Sequence, residues 1–567
     1  MQWIASFRRI GGKLFLGLLL LYIPWISAGC GVEMASLDLG VPAVALHSPV
    51  IGSLSDNTPM HVGITFKVSQ SLLNSLDHQN HQTSQPSHLE QFANKLGISD
   101  ETYQKFKDFF NLAGLKLQLS KLHTHLAVNG KASLFAKVFS THFVQHTFQG
   151  RTFFAPDKAP QVPRFLADSI EAVTGLDNYS SPPQHTVTPL TPALSGQHTK
   201  QAAPDCSPPG SVLLPKEVAG AYGFEQLWNR GWHGENMTVN LVEIDGFYDA
   251  DLQNYLDCIN FQGHIKVVDI DNSPTEAAGE STLDLEMIAG LARSINIVDY
   301  ETGVVSDYDA WTQINDELQQ IIDDNVNNAN KGGVVSISLG INEFRMSASD
   351  VRAINQSLQV LTQVEHMRVF VASGDCGAFA SGVYHDLSVA FPASDPWATA
   401  VGGTVLHVTG NGQRASEVVW SDDANHSRCG NRWGSGGGES LLYARLPWQQ
   451  GSNHRHIPDV SAAAFNLAVY FNGEWVPVGG TSAAAPIWAT GMALVNQGLI
   501  SQLHTFTAAP QLFYDVANGR GGPSAYFDVT QGDNLYYPAH PGWDYSTGLG
   551  SPNLGSFYQV LSNQLRS

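Results

Sequence analysis

Positive charge is scarce in this chain. Its 567 residues hold 30 Lys and Arg against 51 Asp and Glu, a formal charge of -21 with the 21 histidines neutral. That balance excludes a nucleic acid or an anionic membrane surface as the main partner. Charge of either sign is thin, at 14% of residues, while 43% are hydrophobic. The chain is therefore globular, with core material for two or more domains. Few amines and many carboxylates suit an acidic setting. Cysteine is rare too. Cys206, Cys258, Cys376 and Cys429 follow Cys30 without metal-ligand spacing, which argues against a zinc cluster. Two disulfides fit an exported protein, their pairing open from sequence. The 53 glycines form no strand-glycine-helix fingerprint for a dinucleotide.

Long apolar runs are missing except at the N-terminus. There Arg8, Arg9 and Lys13 precede an apolar stretch, Leu14 to Ile23, and the small residues Ser27-Ala28-Gly29 before Cys30. This reads as an export signal over residues 1–30, too short for a comfortable membrane span. Its end is similar to a lipoprotein box, so lipidation of Cys30 is the single route to a membrane. The expected location is secreted or in the cell envelope.

Residues 31–55 read as a plain tether. Residues 56–165 alternate between strand and helix periods and predict a small α+β domain. Strands are expected at His61 to Val68 and Leu115 to Leu119, and a strand or hairpin at Phe143 to Phe154. Helices are expected at Ser69 to Leu76, Ser87 to Ala113 and Lys131 to Ser140. Its histidines, among them His61, His123 and His125, are scattered and read as surface or structural groups. Residues 166–212 are rich in Pro, Ser and Thr and read as a cuttable linker. A folded module on such a tether suggests a pro-domain. From 213 to 567 a β-α pattern repeats, with largely apolar strands at Met237 to Glu243, His264 to Ile270, Val334 to Ser338 and Arg368 to Ala372. Helices are expected at Ser281 to Ser294, Trp311 to Asn325, Val351 to Gln363 and Ala483 to Gln497. Such strands predict a mostly parallel sheet covered by helices.

The chemistry gathers around Val478-Gly479-Gly480-Thr481-Ser482-Ala483-Ala484-Ala485-Pro486. A strand, a glycine turn and a helix start hold the Ser482 hydroxyl rigidly near unpaired helical N–H groups, with Pro486 expected in the first turn. Glu280 and Asp284, four apart, share a helix face. Buried together, they hold a proton tightly and suit a general base with its orienting partner at acidic pH. The same pair also suits an acidic first turn. Asp375 follows a strand in Ser373-Gly374-Asp375. Protonated, it can donate to a developing oxyanion; ionised, it cannot. A neutral Ser-His-Asp triad would use Asp245, but Gly279 to Leu291 contains no histidine to complete it. Near the C-terminus, Asp528 and Asp544 with glycine-loop carbonyls form an all-oxygen set suited to calcium.

Together these motifs resemble the sedolisins, or serine-carboxyl peptidases, a family with kumamolisin-like, pseudomonalisin-like and tripeptidyl-peptidase members. Gly480 to Pro486 is similar to the serine motif, Glu280/Asp284 to the acid pair and Ser373-Gly374-Asp375 to the oxyanion acid. Val335 to Gly340, Phe391 to Ser394, Thr399 to Thr404 and Pro458 to Ser461 follow in the family's order. The resemblance implies a subtilisin-like α/β catalytic domain and a ferredoxin-like pro-domain. It implies Ser482 as nucleophile, Glu280 as base, Asp284 as its partner and Asp375 as oxyanion donor. Ser338, Leu339 and Gly340 would bind substrate backbone. Calcium would take Asp528 and Asp544 side chains and the carbonyls of Val529, His540 and Gly542. His540 stands where the family has glycine, and Cys376 replaces the usual serine. Cys376 is either a disulfide partner, with Cys429 the candidate, or a buried thiol.

The expectation is a secreted, calcium-stabilised, acid-active endopeptidase acting on proteins or peptides. It is made as a zymogen cut within residues 185–212, with the pro-domain as its own inhibitor. Falling pH would protonate acids that hold that domain over the cleft. The rivals are a tripeptidyl exopeptidase and an inactive surface lipoprotein with this fold.

Overall fold

The structure, a computed structural model, describes residues 32–80, 88–111, 114–185, 188–189, 206–208, 210, 212–271, 275–303, 309–327, 333–382, 386–422, 429, 432–501 and 508–566. The expected export signal and Cys30 lie outside the described residues, as does much of the expected cleavage stretch.

Alternation in the N-terminal part builds an antiparallel sheet. Its strands are β1 (Pro59–Phe66), β2 (Lys116–Leu119), β3 (His125–Lys131) and β4 (Ile170–Thr174), in the order β2-β3-β1-β4. Met60, Val62, Ile64 and Phe66 turn one face onto Phe106, Phe110, Phe135 and Phe139. The alternate residues, His61, Gly63 and Thr65, line the opposite face.

Three expectations change here. Residues 31–55 are not a plain tether, because Met34–Ser36 pairs with Gln161–Pro163 and Val50–Ser53 with Phe143–Phe148. The linker does not begin at 166, because β4 joins the sheet beside β1. Short strands paired 91 or more residues apart carry too little local period to read. The helix expected from Ser87 to Ala113 is broken into the turns Leu89–Phe92 and Ala93–Leu96 and a separate helix, Asp100–Asn111. The break falls at Gly97, where a Cβ would stand 1.9 Å from the His123 carbonyl oxygen.

The C-terminal part is an α/β sheet. Its strands are β5 (Thr238–Glu243), β6 (His264–Asp269), β7 (Asn296–Glu301) and β8 (Val334–Ile337). After a short β9 (Leu339–Asn342) come β10 (Arg368–Ala372), β11 (Thr399–Val408) and β12 (Arg414–Val419). The order is β6-β7-β5-β8-β10-β11-β12, and β13 (Val460–Ala463) also pairs with β11. Every pairing is parallel except β11 with β12. The covering helices are α1 (Glu280–Leu291), α2 (Ala310–Asn325), α3 (Ala348–Gln359) and α4 (Thr481–Ser501). Val239, Leu241, Phe370 and Ala372 pack with Leu283 and Met287 of α1 and Trp488 of α4. Val242, Val335, Ile337, Val369 and Val371 pack with Trp311 and Ile314 of α2 and Ile354 and Leu358 of α3. Both sheet faces are thus covered, which is why the strands read as unbroken apolar runs.

The N-terminal sheet sits on α2 and α3. A Cβ added to Gly63 would be 3.4 Å from Thr312 of α2. Leu73, Leu76, Leu89 and Leu96 are buried in the same cluster as α2 and α3. Full burial of such a side chain is worth roughly 1.5–3 kcal/mol, a contribution that pH does not touch. Polar contacts ring it. The Lys121 N–H donates to Asp323 at 2.8 Å, the Trp311 indole donates to the Ser181 carbonyl at 2.8 Å, and the Ser180 hydroxyl donates to Asp350.

Candidate active site

The hairpin β14 (Phe465–Phe471) and β15 (Glu474–Gly479) leads through Gly480 into α4. Ser482 lies in the first turn of α4, fully buried, and its hydroxyl donates to the Ser338 carbonyl at 3.3 Å. Because α4 starts at Thr481, Pro486 falls in its second turn, not its first. Proline has no N–H for the carbonyl four residues back, which is that of Ser482. The Ser338 hydroxyl donates to that carbonyl instead, at 3.2 Å.

The Ser338 hydroxyl is also 2.6 Å from Asp284 Oδ2. One hydroxyl carries one proton. Both contacts are satisfied together only when Asp284 is protonated and donates to Ser338. Burial pushes the Asp284 carboxyl up to about 8, with the Ser338 hydroxyl and Glu243 opposing. Glu243, at the end of β5, is likewise pushed up by burial and by the carboxylates around it, Asp284 first. Glu280 lies one turn before Asp284 on the same face of α1, also fully buried.

Asp245 has a different task from the triad acid considered above. Gly279, at φ +102°, offers α1 no capping side chain. Asp245 accepts the N–H groups of Ala278, Glu280 and Ser281, each at 3.1 Å, and so caps the helix that carries Glu280. Burial raises its carboxyl to about 6, with those three N–H groups opposing.

Asp375 approaches from the end of β10. Its Oδ1 accepts the N–H and the hydroxyl of Thr481, both at 2.8 Å, and the Thr481 hydroxyl accepts from Gly374 N–H at 3.1 Å. Asp375 is therefore bound to the residue beside Ser482. Next to it, Cys376 is bonded to Cys429, and Cys206 is bonded to Cys258 on the helix Asp249–Ile259.

Ser338, Leu339 and Gly340 form an edge that is already paired. Gln184–His185 runs antiparallel to it, Gln184 opposite Gly340 and His185 opposite Leu339. Thr188–Pro189 then pairs antiparallel with Gly479 and Val478 of β15, just before Ser482. Two described pieces of the chain's own linker are thus paired on either side of the serine.

The C-terminal loop brings its expected residues together. Asp528 accepts the Gly542 N–H at 2.9 Å. Buried Asp544 accepts the N–H groups of His540, Ser546 and Thr547 at 2.8–3.0 Å. Thr547, bonded to Asp544 at 3.2 Å, also reaches the Val529 carbonyl at 3.5 Å.

Sequence reading missed the roles of Asp245, Glu243 and Thr481, and gave Ser338 only a place at the substrate edge. The signal for Glu243 is an acid inside an apolar strand, Leu241-Val242-Glu243-Ile244, which demands a partner when buried. The Asp245 contacts span more than thirty residues and leave no local mark.

The class is an α/β fold with a sheet-plus-helix catalytic domain, its buried serine set among acids near the carboxyl ends of parallel strands. Residues 48–179 match the family described as Pro-kumamolisin, activation domain. The chain is 28% identical over 507 residues to Kumamolisin of Bacillus sp. (strain MN-32), covering 82% of this chain and 84% of that one. It is 27% identical over 470 residues to Sedolisin of Pseudomonas sp. (strain 101), covering 78% and 75%. Among solved structures, Pseudomonas sedolisin complexed with two molecules of pseudo-iodotyrostatin matches with a TM-score of 0.55 and 25% identity, covering 62% of this chain and 99% of that one. The chain has the sedolisin/kumamolisin-family serine-carboxyl peptidase fold and activation domain, related to the tripeptidyl-peptidases.

Proposed function

We propose that this chain is an exported zymogen of an acid-active endopeptidase that cleaves proteins through an acyl-enzyme on Ser482. The observation that carries this is the bonded chain from Asp284 through Ser338 to Ser482, with Asp375 tied to Thr481 beside it. Glu280 takes the Ser482 proton as Oγ attacks the scissile carbonyl. Asp284 keeps its own proton and holds the pair in place. Asp375, which accepts two bonds on Oδ1, would carry its proton on Oδ2 and donate it to the oxyanion. Collapse expels the amine with the proton from Glu280. A water activated by Glu280 then releases the acyl group.

The linker serves as the first substrate. Residues 185 to 188 reach across about 10 Å when extended, and both ends of that stretch are paired beside Ser482. The first cut falls between His185 and Thr188. Described chain paired on both sides of Ser482 supports an endopeptidase over a tripeptidyl exopeptidase. Two disulfides support export to an oxidising compartment, and the strand order β2-β3-β1-β4 supports a ferredoxin-like activation domain. The reading keeps calcium at the C-terminal loop, where bonds from Gly542 to Asp528 and from His540 to Asp544 draw the expected residues into one loop. Asp528 and Asp544 side chains with the carbonyls of Val529, His540 and Gly542 would hold it, and the ion would supply loop stability rather than chemistry.

Digestion of an unfolded protein in acidic buffer, with products weighed by mass spectrometry, tests the reading. Internal peptides of varied length are expected. Tripeptides alone would make the enzyme an exopeptidase, and no products would make the chain an inactive relative.

A further inference from the structure

The seam between the activation domain and the peptidase holds a cluster that the catalytic reading does not use. His61 of β1, Asp316 of α2 and Asp271, just past β6, bring one ligand atom each to within 4.8 Å of one another. His61 Nε2 contacts Asp316 Oδ2 and is 3.9 Å from Asp271 Oδ2. His125 Nε2 is 2.9 Å from Asp316 Oδ1. We propose that His61, Asp271 and Asp316 form a zinc site that bridges the two domains of the zymogen.

The surroundings assign each group a part. His61 Nδ1–H donates to Asn129 Oδ1 at 2.7 Å, which leaves Nε2 as the ligand atom when the ring is neutral. His125 Nδ1 faces the Asn315 amide at 3.4 Å and accepts from it, so its Nε2–H donates to Asp316 and orients that carboxylate. One imidazole nitrogen and two carboxylates are a nitrogen–oxygen set that suits zinc, with water as fourth ligand. Asp271 is exposed and His61 buried, so the ion enters from the Asp271 side. Zinc ligands stand roughly 3.3 Å apart around a tetrahedral ion. His61 and Asp316 therefore move apart as the ion replaces the proton between them, releasing that proton to water. Because His61 belongs to the activation domain and both acids to the peptidase, zinc binds only the docked form and stabilises it.

The test uses the full-length chain carrying Ser482→Ala, which stays uncut. It is dialysed against zinc at neutral pH with calcium in excess, and bound metal and thermal midpoint are measured. One zinc per chain and a raised midpoint are expected. Asp271→Asn, at an exposed position that folding tolerates, abolishes both effects, as does His61→Gln. His125→Ala weakens affinity by about 10- to 100-fold. No retained zinc, or zinc retained equally by Asp271→Asn and His61→Gln, overturns the proposal.

Discussion

With one proton and two acceptors, the Ser338 hydroxyl reports the state of Asp284. When Asp284 is protonated it donates to Ser338, and Ser338 passes its own proton to the Ser482 carbonyl that Pro486 leaves without an N–H. When Asp284 is ionised it claims that proton, and the carbonyl loses its partner. Ser338→Ala should therefore lower kcat by roughly 10- to 100-fold, the size of one hydrogen bond to a charged or buried carboxyl. Substrate binding through the backbone of Leu339 and Gly340 should leave KM nearly unchanged. Steady-state kinetics in acidic buffer check this, and an unchanged kcat would remove Ser338 from the account. The positions of Ser482, Glu280, Asp284 and Asp375 were legible because each sits in a short local motif after a strand or at a helix start. Asp245 and Thr481 were not legible, because their contacts join segments 33 to 106 residues apart.

At the scale of elements, the linker and its disulfide limit where activation can occur. Cys206 is bonded to Cys258 on the helix Asp249–Ile259. A cut between His185 and Thr188 leaves Cys206 with the peptidase, so the new N-terminus stays anchored and the activation domain is free to leave. A cut beyond Cys206 would keep the two pieces covalently joined. Acid-activated protein should thus give separate bands on a gel run without reductant. A single band that splits only on reduction would contradict the assigned cut. The central strands and helices were legible because apolar runs and a 3.6-residue period are local signals. Met34–Ser36, Val50–Ser53 and β4 were not, since each is short and finds its partner far along the chain. In β3, Asn129 and Gly130 break the alternation that would have marked a strand. His61 and His125 looked scattered for the same reason: only the pairing of β1 with β3, and the seat of that sheet on α2, brings them together.

Across the whole molecule, burial of carboxyls sets how stability varies with pH. Burial holds Asp284 at about 8 and Asp245 and Asp395 at about 6. It also raises Glu243, Glu286, Asp299 and Glu317. In the unfolded chain these groups titrate near 4. Between roughly pH 4 and 8 the folded state binds more protons than the unfolded one, so stability falls as pH rises. The contribution is fully present below the unfolded value and lost as pH passes the folded one. The thermal midpoint of the Ser482→Ala zymogen should be highest in mild acid and drop by several degrees toward pH 8. A chelator of calcium should lower it at every pH. A midpoint that rises toward neutrality would contradict this balance. At the seam between the domains, Asp177 and Asp309 are also raised by burial and by Asp350, and Asp350 is raised by burial against its bonds to Ser180, Asp309 and Ser347. Protonated, they favour the docked zymogen, whereas Asp316, raised by burial but pulled down further by His61 and His125, favours release once acid protonates it.

The central claim is that Ser482 is the nucleophile and is served by carboxyl groups in place of an imidazole. Its most direct test is to mix the activated enzyme with a peptide substrate in acidic buffer, quench rapidly, and locate the acyl group by mass spectrometry. The account predicts a transient acyl adduct on Ser482 that forms fastest in acid and is absent from Ser482→Ala, which also stays uncut. An adduct on another residue, or full turnover by Ser482→Ala, would contradict it.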